Sequence, residues 1–208
     1  MRFGVFVYDG VEPIDLAVFG VLSMARRVAP GISMTTVAPE AGPVELANGL
    51  VVQAAHGLAQ PPGLDALVVT GGPGWQAQCR HAPTLDYLRA AAAQGVLLAS
   101  ACTGAMILAA AGVLDGHAAT TKKEVVAGAE VPPLDLLAQR HPAVRAVPAR
   151  LVDGGEVVTG GGVTLCIDLT LHLLERLLGG EVADETARIL EYRAARAANR
   201  QALATLVR

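Results

Sequence analysis

The sequence predicts an α/β fold, a three-layer α/β/α sandwich in which helices cover both faces of a mostly parallel sheet. Three observations carry this prediction. Apolar runs of strand length alternate with longer helix-prone segments. The chain is 52% hydrophobic but only 3% aromatic, so its core must be built from Ala, Val and Leu, which suits buried parallel strands under Ala-rich helices. One apolar run also empties directly into a glycine-rich loop, as expected at the carboxyl end of a parallel strand that faces a ligand. At 208 residues the chain is read as one domain, residues 1–208, able to bury an ordinary core without staples.

The elements follow in order. Arg2 to Val7 reads as a first strand, ended by the turn signal Asp9-Gly10. A helix runs from near Pro13, well tolerated in a first turn, to Val28, and Pro30-Gly31 stops it. Ile32 to Val37 is a second strand. A weak hairpin pairs Val44-Glu45 with Leu50 to Val52 around Asn48-Gly49. Leu64 to Thr70 is the apolar run that leads into Gly71-Gly72-Pro73-Gly74. That loop lacks the Gly-Lys-Ser/Thr of a phosphate-binding loop, and GxGxxG is absent. A helix from Pro83 to Gln94 precedes the strand Val96 to Ala99, and another from Ala105 to Ala111 ends at Gly112. The tail, Glu181 to Arg208, is helix-prone and rich in Ala, Arg and Glu, and reads as a helix packed on the domain.

The strongest local signal is Ser100-Ala101-Cys102-Thr103-Gly104, between a buried strand and a helix. A small residue two before a nucleophile and a glycine two after it permit a sharp turn that projects the side chain over the sheet edge. A thiol at a helix N-terminus faces unpaired N–H groups and the positive end of the helix dipole, which lower its pKa. The same amides can hold a developing anion. Thr103, with the N–H groups of Gly71 and Gly72, makes a candidate oxyanion-binding set. The alternative reading of Cys102 is a small core residue. Cys79 and Cys166 read as structural. Three cysteines without CxxC spacing argue against a disulfide framework and a zinc site.

Composition narrows the partners. A net charge of −3 without a dense Lys/Arg cluster argues against nucleic acid. No apolar stretch approaches the roughly 20 residues of a membrane span. The N-terminus lacks the apolar core of a signal peptide, so the expected location is cytoplasmic. His56, His81, His117, His141 and His172 show no spacing that points at Cys102 and no HxH or HExxH pattern. His117 reads as solvated, and His172 as bonded at the surface near Glu175. No metal or cofactor is expected.

The run from Ser100 to Ala105, then Ala110 to Gly116 and Ala119-Thr120-Thr121, resembles the ThiJ/PfpI superfamily, within the class I glutamine amidotransferase-like, flavodoxin-like fold. Its isonitrile hydratase-like branch, which also includes sensor domains of AraC-type regulators, is the most similar. Gly10-Val11 to Asp15-Leu16, Thr70-Gly71-Gly72, Gly161 to Thr164 and Ile167 to Leu169 extend the match. The resemblance implies a catalytic Cys102, with Thr103 beside it and Asp15 as the acid that shares its proton. The alternative for Asp15 is a helix-start carboxylate that favours the dipole. The resemblance also implies a small-molecule substrate and a homodimer. Two departures stand out. Lys122-Lys123 occupies the place of a histidine carried by many relatives, and the first helix lacks the branch's Gly-Pro pair and Glu. Three activities follow as expectations: isonitrile hydration, glyoxalase- or deglycase-like work on small aldehydes, and ligand or redox sensing without catalysis.

Overall fold

In the computed structural model, which describes residues 1–208, β1 (Arg2–Phe6) is an interior strand of an eight-stranded sheet. A 3₁₀ turn over Pro13–Leu16 leads into α1 (Ala17–Val28), and β2 (Ser33–Ala38) returns beside β1 in parallel. β3 (Gly42–Glu45) and β4 (Val51–Ala54) form a separate antiparallel hairpin, and the two-residue β5 (His56–Gly57) ends one edge of the main sheet. The chain then crosses to the other side of β1 with β6 (Ala66–Val69). After α2 (Trp75–Gln78) and α3 (Ala82–Ala93) comes β7 (Leu97–Ser100), parallel to β6. All four residues of β6 and of β7 are buried, which is why both read as continuous apolar runs.

The remainder is α4 (Gly104–Ala110), β8 (Ala118–Ala119), α5 (Pro133–Arg140), β9 (Arg145–Ala146), β10 (Leu151–Asp153), β11 (Val157–Gly160), α6 (Leu165–Leu178), α7 (Gly180–Ile189), α8 (Arg193–Ala202) and β12 (Thr205–Val207). The order across the main sheet is β12-β10-β11-β7-β6-β1-β2-β5, and only β10 and β11 pair antiparallel. α1 packs with α6 and α7, while α3 and α4 pack together beside β7 and β6. The core is a continuous cluster of 47 buried apolar residues. No helix is long and apolar enough to cross a membrane.

This topology positions a site. The chain leaves β1 toward β2 on one side and returns to β6 on the other, so a crevice opens beyond their carboxyl ends, where ligands bind in open α/β sheets. The segments after β1, β6, β7 and β11 all emerge there.

Three expectations change. The tail holds two helices and a strand, because Thr205-Leu206-Val207 docks in parallel on β10; a three-residue strand is too short to show periodicity. The expected first helix begins as a 3₁₀ turn and becomes α-helical only at Ala17. His172 turns inward, its Nε2 lying 2.8 Å from Asp153 Oδ2, and does not bond Glu175.

Candidate functional site

Cys102 sits where β7 turns into α4, with φ of +51°, a left-handed conformation that non-glycine residues rarely adopt. The turn is held on both sides. The Cys102 N–H donates to Gly161 C=O at 3.0 Å, and the Thr121 hydroxyl donates to Cys102 C=O at 2.6 Å. Gly104 is required two residues on, since a Cβ there would run into the Val69 carbonyl. These contacts aim the thiol into a cavity of about 690 Å³, although the residue as a whole is only 3% exposed.

Asp15, in the turn after β1, is fully buried, and its charge is felt at the thiol. Gly71 joins the two. Its N–H donates to Asp15 Oδ2 at 2.7 Å, while a Cβ on it would lie 2.8 Å from Cys102 Cβ. The other carboxylate oxygen, Oδ1, is buried without any partner. An orphaned buried carboxylate oxygen is costly as an anion, and burial pushes the Asp15 pKa up from 3.8 to about 7, opposed by the Gly71 N–H and helped by Glu12.

The oxyanion-binding set differs from expectation. Gly71 N–H is committed to Asp15, and Gly72 N–H donates to Thr103 Oγ1 at 2.9 Å, so neither amide is free to hold an anion. Their loop needs glycine for close approach: a Cβ on Gly71 would sit 2.5 Å from Thr103 N. The Thr103 hydroxyl is likewise occupied in clamping Gly72. The amides that reach the Cys102 sulfur are those of Thr103 and Val163. Val163 follows β11 and has φ of +56°, a second left-handed non-glycine residue at the same spot. Val163 falls within the Gly161 to Thr164 stretch of the family resemblance, but no side-chain chemistry marks its part, which is played by its backbone.

The thiol pKa also moves against expectation. Burial pushes Cys102 up to about 11, and Asp15 adds to the rise; the Val163 and Thr103 amides and the Lys122 ammonium only partly offset it. Here desolvation outweighs the amides, and the helix that follows is only seven residues long. At neutral pH the resting pair is therefore a thiol beside a carboxyl group that titrates near neutrality. Cys79 is also raised, to about 11, and Cys166 is raised further, both chiefly by burial. Cys79 closes the short helix α2, and Cys166 lies in α6 with Sγ 3.7 Å from Ile14 C=O.

The cavity walls are Ile14, Trp75, Val125, Val131, Pro133 and Leu136, with Glu12, Lys122, Glu130 and Arg140 as charged lining. Trp75 is the chain's only tryptophan, and the Arg140 guanidinium lies 5.7 Å from its ring centre. No histidine lines the cavity; Lys122 stands at its edge instead. No three His, Cys, Asp or Glu side chains cluster to hold a metal.

Such an arrangement can perform thiol addition with local proton transfer, in a pocket with apolar walls. A model of the DJ-1/PfpI family matches residues 1–176. Isonitrile hydratase of Pseudomonas putida is 32% identical over 194 residues, covering 92% of this chain and 78% of that protein. The HTH-type transcriptional regulator GbdR of Pseudomonas aeruginosa is 31% identical over 147 residues, covering 70% of this chain but only 37% of the regulator. The crystal structure of a THiJ/PfpI family protein from Pseudomonas syringae superposes with a TM-score of 0.79 at 26% identity, covering 92% of this chain and 75% of that one.

Proposed function

The chain belongs to the DJ-1/PfpI family, and from that premise we propose that it is a cysteine-dependent enzyme that hydrates an isonitrile to an N-substituted formamide. The observation that carries the reading is the buried, partnerless Asp15 Oδ1 on a carboxyl group bonded to Gly71, which itself packs against Cys102. A carboxyl group with a pKa of about 7 is matched to taking and returning a proton near neutral pH.

In the proposed cycle the Cys102 sulfur bonds to the terminal carbon of R–NC. The S–H proton passes through Asp15 to that same carbon, giving the thioimidate R–N=CH–S–Cys102. Water then adds to this carbon while nitrogen takes a proton, and the C–S bond breaks, releasing R–NH–CHO and restoring the thiol. One isonitrile and one water give one formamide, with no redox change. The Thr103 and Val163 amides stabilise negative charge on sulfur as it forms and leaves.

The test is a panel of isonitriles assayed for formamide, with methylglyoxal assayed for lactate alongside. Formamide release that disappears in Cys102→Ala, with the fold retained, is the expected result; full activity in that variant sinks the mechanism. A second reading, a ligand-sensing domain, draws support from the similarity to GbdR. It predicts saturable binding of a small molecule without product.

A further inference from the structure

Lys122 is half-buried at the cavity, and its stem is fixed while its ammonium is unengaged. The stem lies against the loop after β11: a Cβ on Gly162 would meet Lys122 Cγ at 2.7 Å, Cβ at 2.8 Å and Cα at 3.0 Å. The Lys122 carbonyl accepts the Leu134 N–H at 3.0 Å, tying the backbone to α5. No carboxylate lies within ion-pair distance of the ammonium, and half-buried Lys123 is likewise unpaired, whereas the two fully buried cations are both paired, Arg150 with Asp168 and Arg196 with Glu175 and Asp184.

We infer that Lys122 selects a substrate carrying an anionic group, most simply a carboxylate, on an apolar body that fills the wall between Trp75 and Leu136. The reading of the site as a place of Cys102 chemistry is its premise; hydration of isonitriles in particular is not. Three other charges line the cavity. Arg140 is exposed and lies over Trp75, adding a second positive group. Glu130 is exposed on the loop before α5, and Glu12 is half-buried in the lining. The Lys122 charge is felt at the Cys102 sulfur, whereas that of Glu12 is felt at Asp15. An anion held close to the thiol therefore meets the lysine first.

The probe is a matched pair of alkylating agents, anionic iodoacetate and neutral iodoacetamide, with Cys102 labelling read by peptide mapping. The ratio of the two rates is normalised to that of free glutathione. The expected result is a ratio favouring iodoacetate in the native chain, falling roughly threefold to tenfold in Lys122→Gln, as for loss of a partly screened ion pair, and kept in Lys122→Arg. An unchanged ratio in Lys122→Gln overturns the inference, whatever the substrate. Melting curves of both variants report folding, since the ammonium makes no intramolecular bond. A second arm compares a carboxylate-bearing isonitrile with its neutral analogue. Turnover of both with equal KM in native chain and Lys122→Gln overturns the inference while leaving hydration standing. A ratio that falls as expected with neither compound turned over supports anion selection and removes isonitrile hydration.

Discussion

The proposed site turns on a single buried oxygen of Asp15. Asp15 Oδ2 is satisfied by Gly71, so Oδ1 alone has capacity for a proton. If Asp15 takes the thiol proton, kcat/KM rises with pH through an apparent value of about 7, which belongs to the coupled pair. Asp15→Asn keeps an acceptor for the Gly71 N–H but cannot transfer the proton. Its expected profile is low and flat over this range, measurable by initial rates between pH 5 and 8. Gly71→Ala tests the spacer: a methyl 2.5 Å from Thr103 N must push the elbow away, with an expected loss of at least about tenfold in activity, the usual result of displacing a reacting group. Retained rates there would show that the elbow accommodates the shift. Local spacing singled out Cys102 as a candidate, and the family resemblance added Asp15 and a catalytic place for Thr103. Val163 lay within the resembling stretch but was not a candidate, because any residue type presents the same N–H once its backbone is forced to φ of +56°.

Among the elements, the C-terminal strand is held by its ladder to β10 and is linked as well to one buried ion pair. Asp168 on α6 accepts from Arg150 at 2.8 Å, and from Tyr192 and Asn199 at 2.8 Å each, while Arg150 also donates to Thr205 at 2.7 Å. This network ties α6, α8 and β12 to β10. Asp168→Ala leaves the Arg150 charge buried without a partner, so the expected destabilisation is about 3–5 kcal/mol. Denaturant unfolding measures it, and amide exchange at Thr205 to Val207 should accelerate first. Equal protection in variant and native chain would show that the β10 ladder alone holds the strand. The helix-rich composition of the tail was legible, but the strand was not, since its stability comes from partners up to 55 positions away.

Over the whole molecule, burying Asp15 makes stability depend on pH in a direction opposite to that of an ordinary ion-paired carboxylate. The folded pKa of about 7 lies above the unfolded value of 3.8, so between these the folded state keeps a proton that the unfolded chain has lost. Stability therefore falls as pH rises from about 4 to about 7 and then levels off. At about 1.4 kcal/mol per pKa unit the loss from this group reaches up to about 4 kcal/mol. Asp15→Asn should remove that slope, so the difference in unfolding free energy between pH 5 and pH 8 shrinks relative to the native chain. An identical slope in the variant would assign the pH dependence to other groups.

The sequence by itself determined the alternation of strands and helices, the elbow at Cys102, the glycine loop after β6 and the residues from which a reactive pair could be drawn. These are local properties, set by apolar periodicity, turn chemistry and the bulk of a few side chains within a handful of positions. Only the tertiary structure decided which amides face the sulfur, that Gly71 and Gly72 hold Asp15 and Thr103 and leave no N–H for an anion, and that both acids are raised in pKa. The physical reason is that hydrogen bonds are exclusive and desolvation is collective. Which donor an oxygen captures, and how much water a carboxylate loses, depend on loops that meet only after β1, β6, β7 and β11 have been laid side by side.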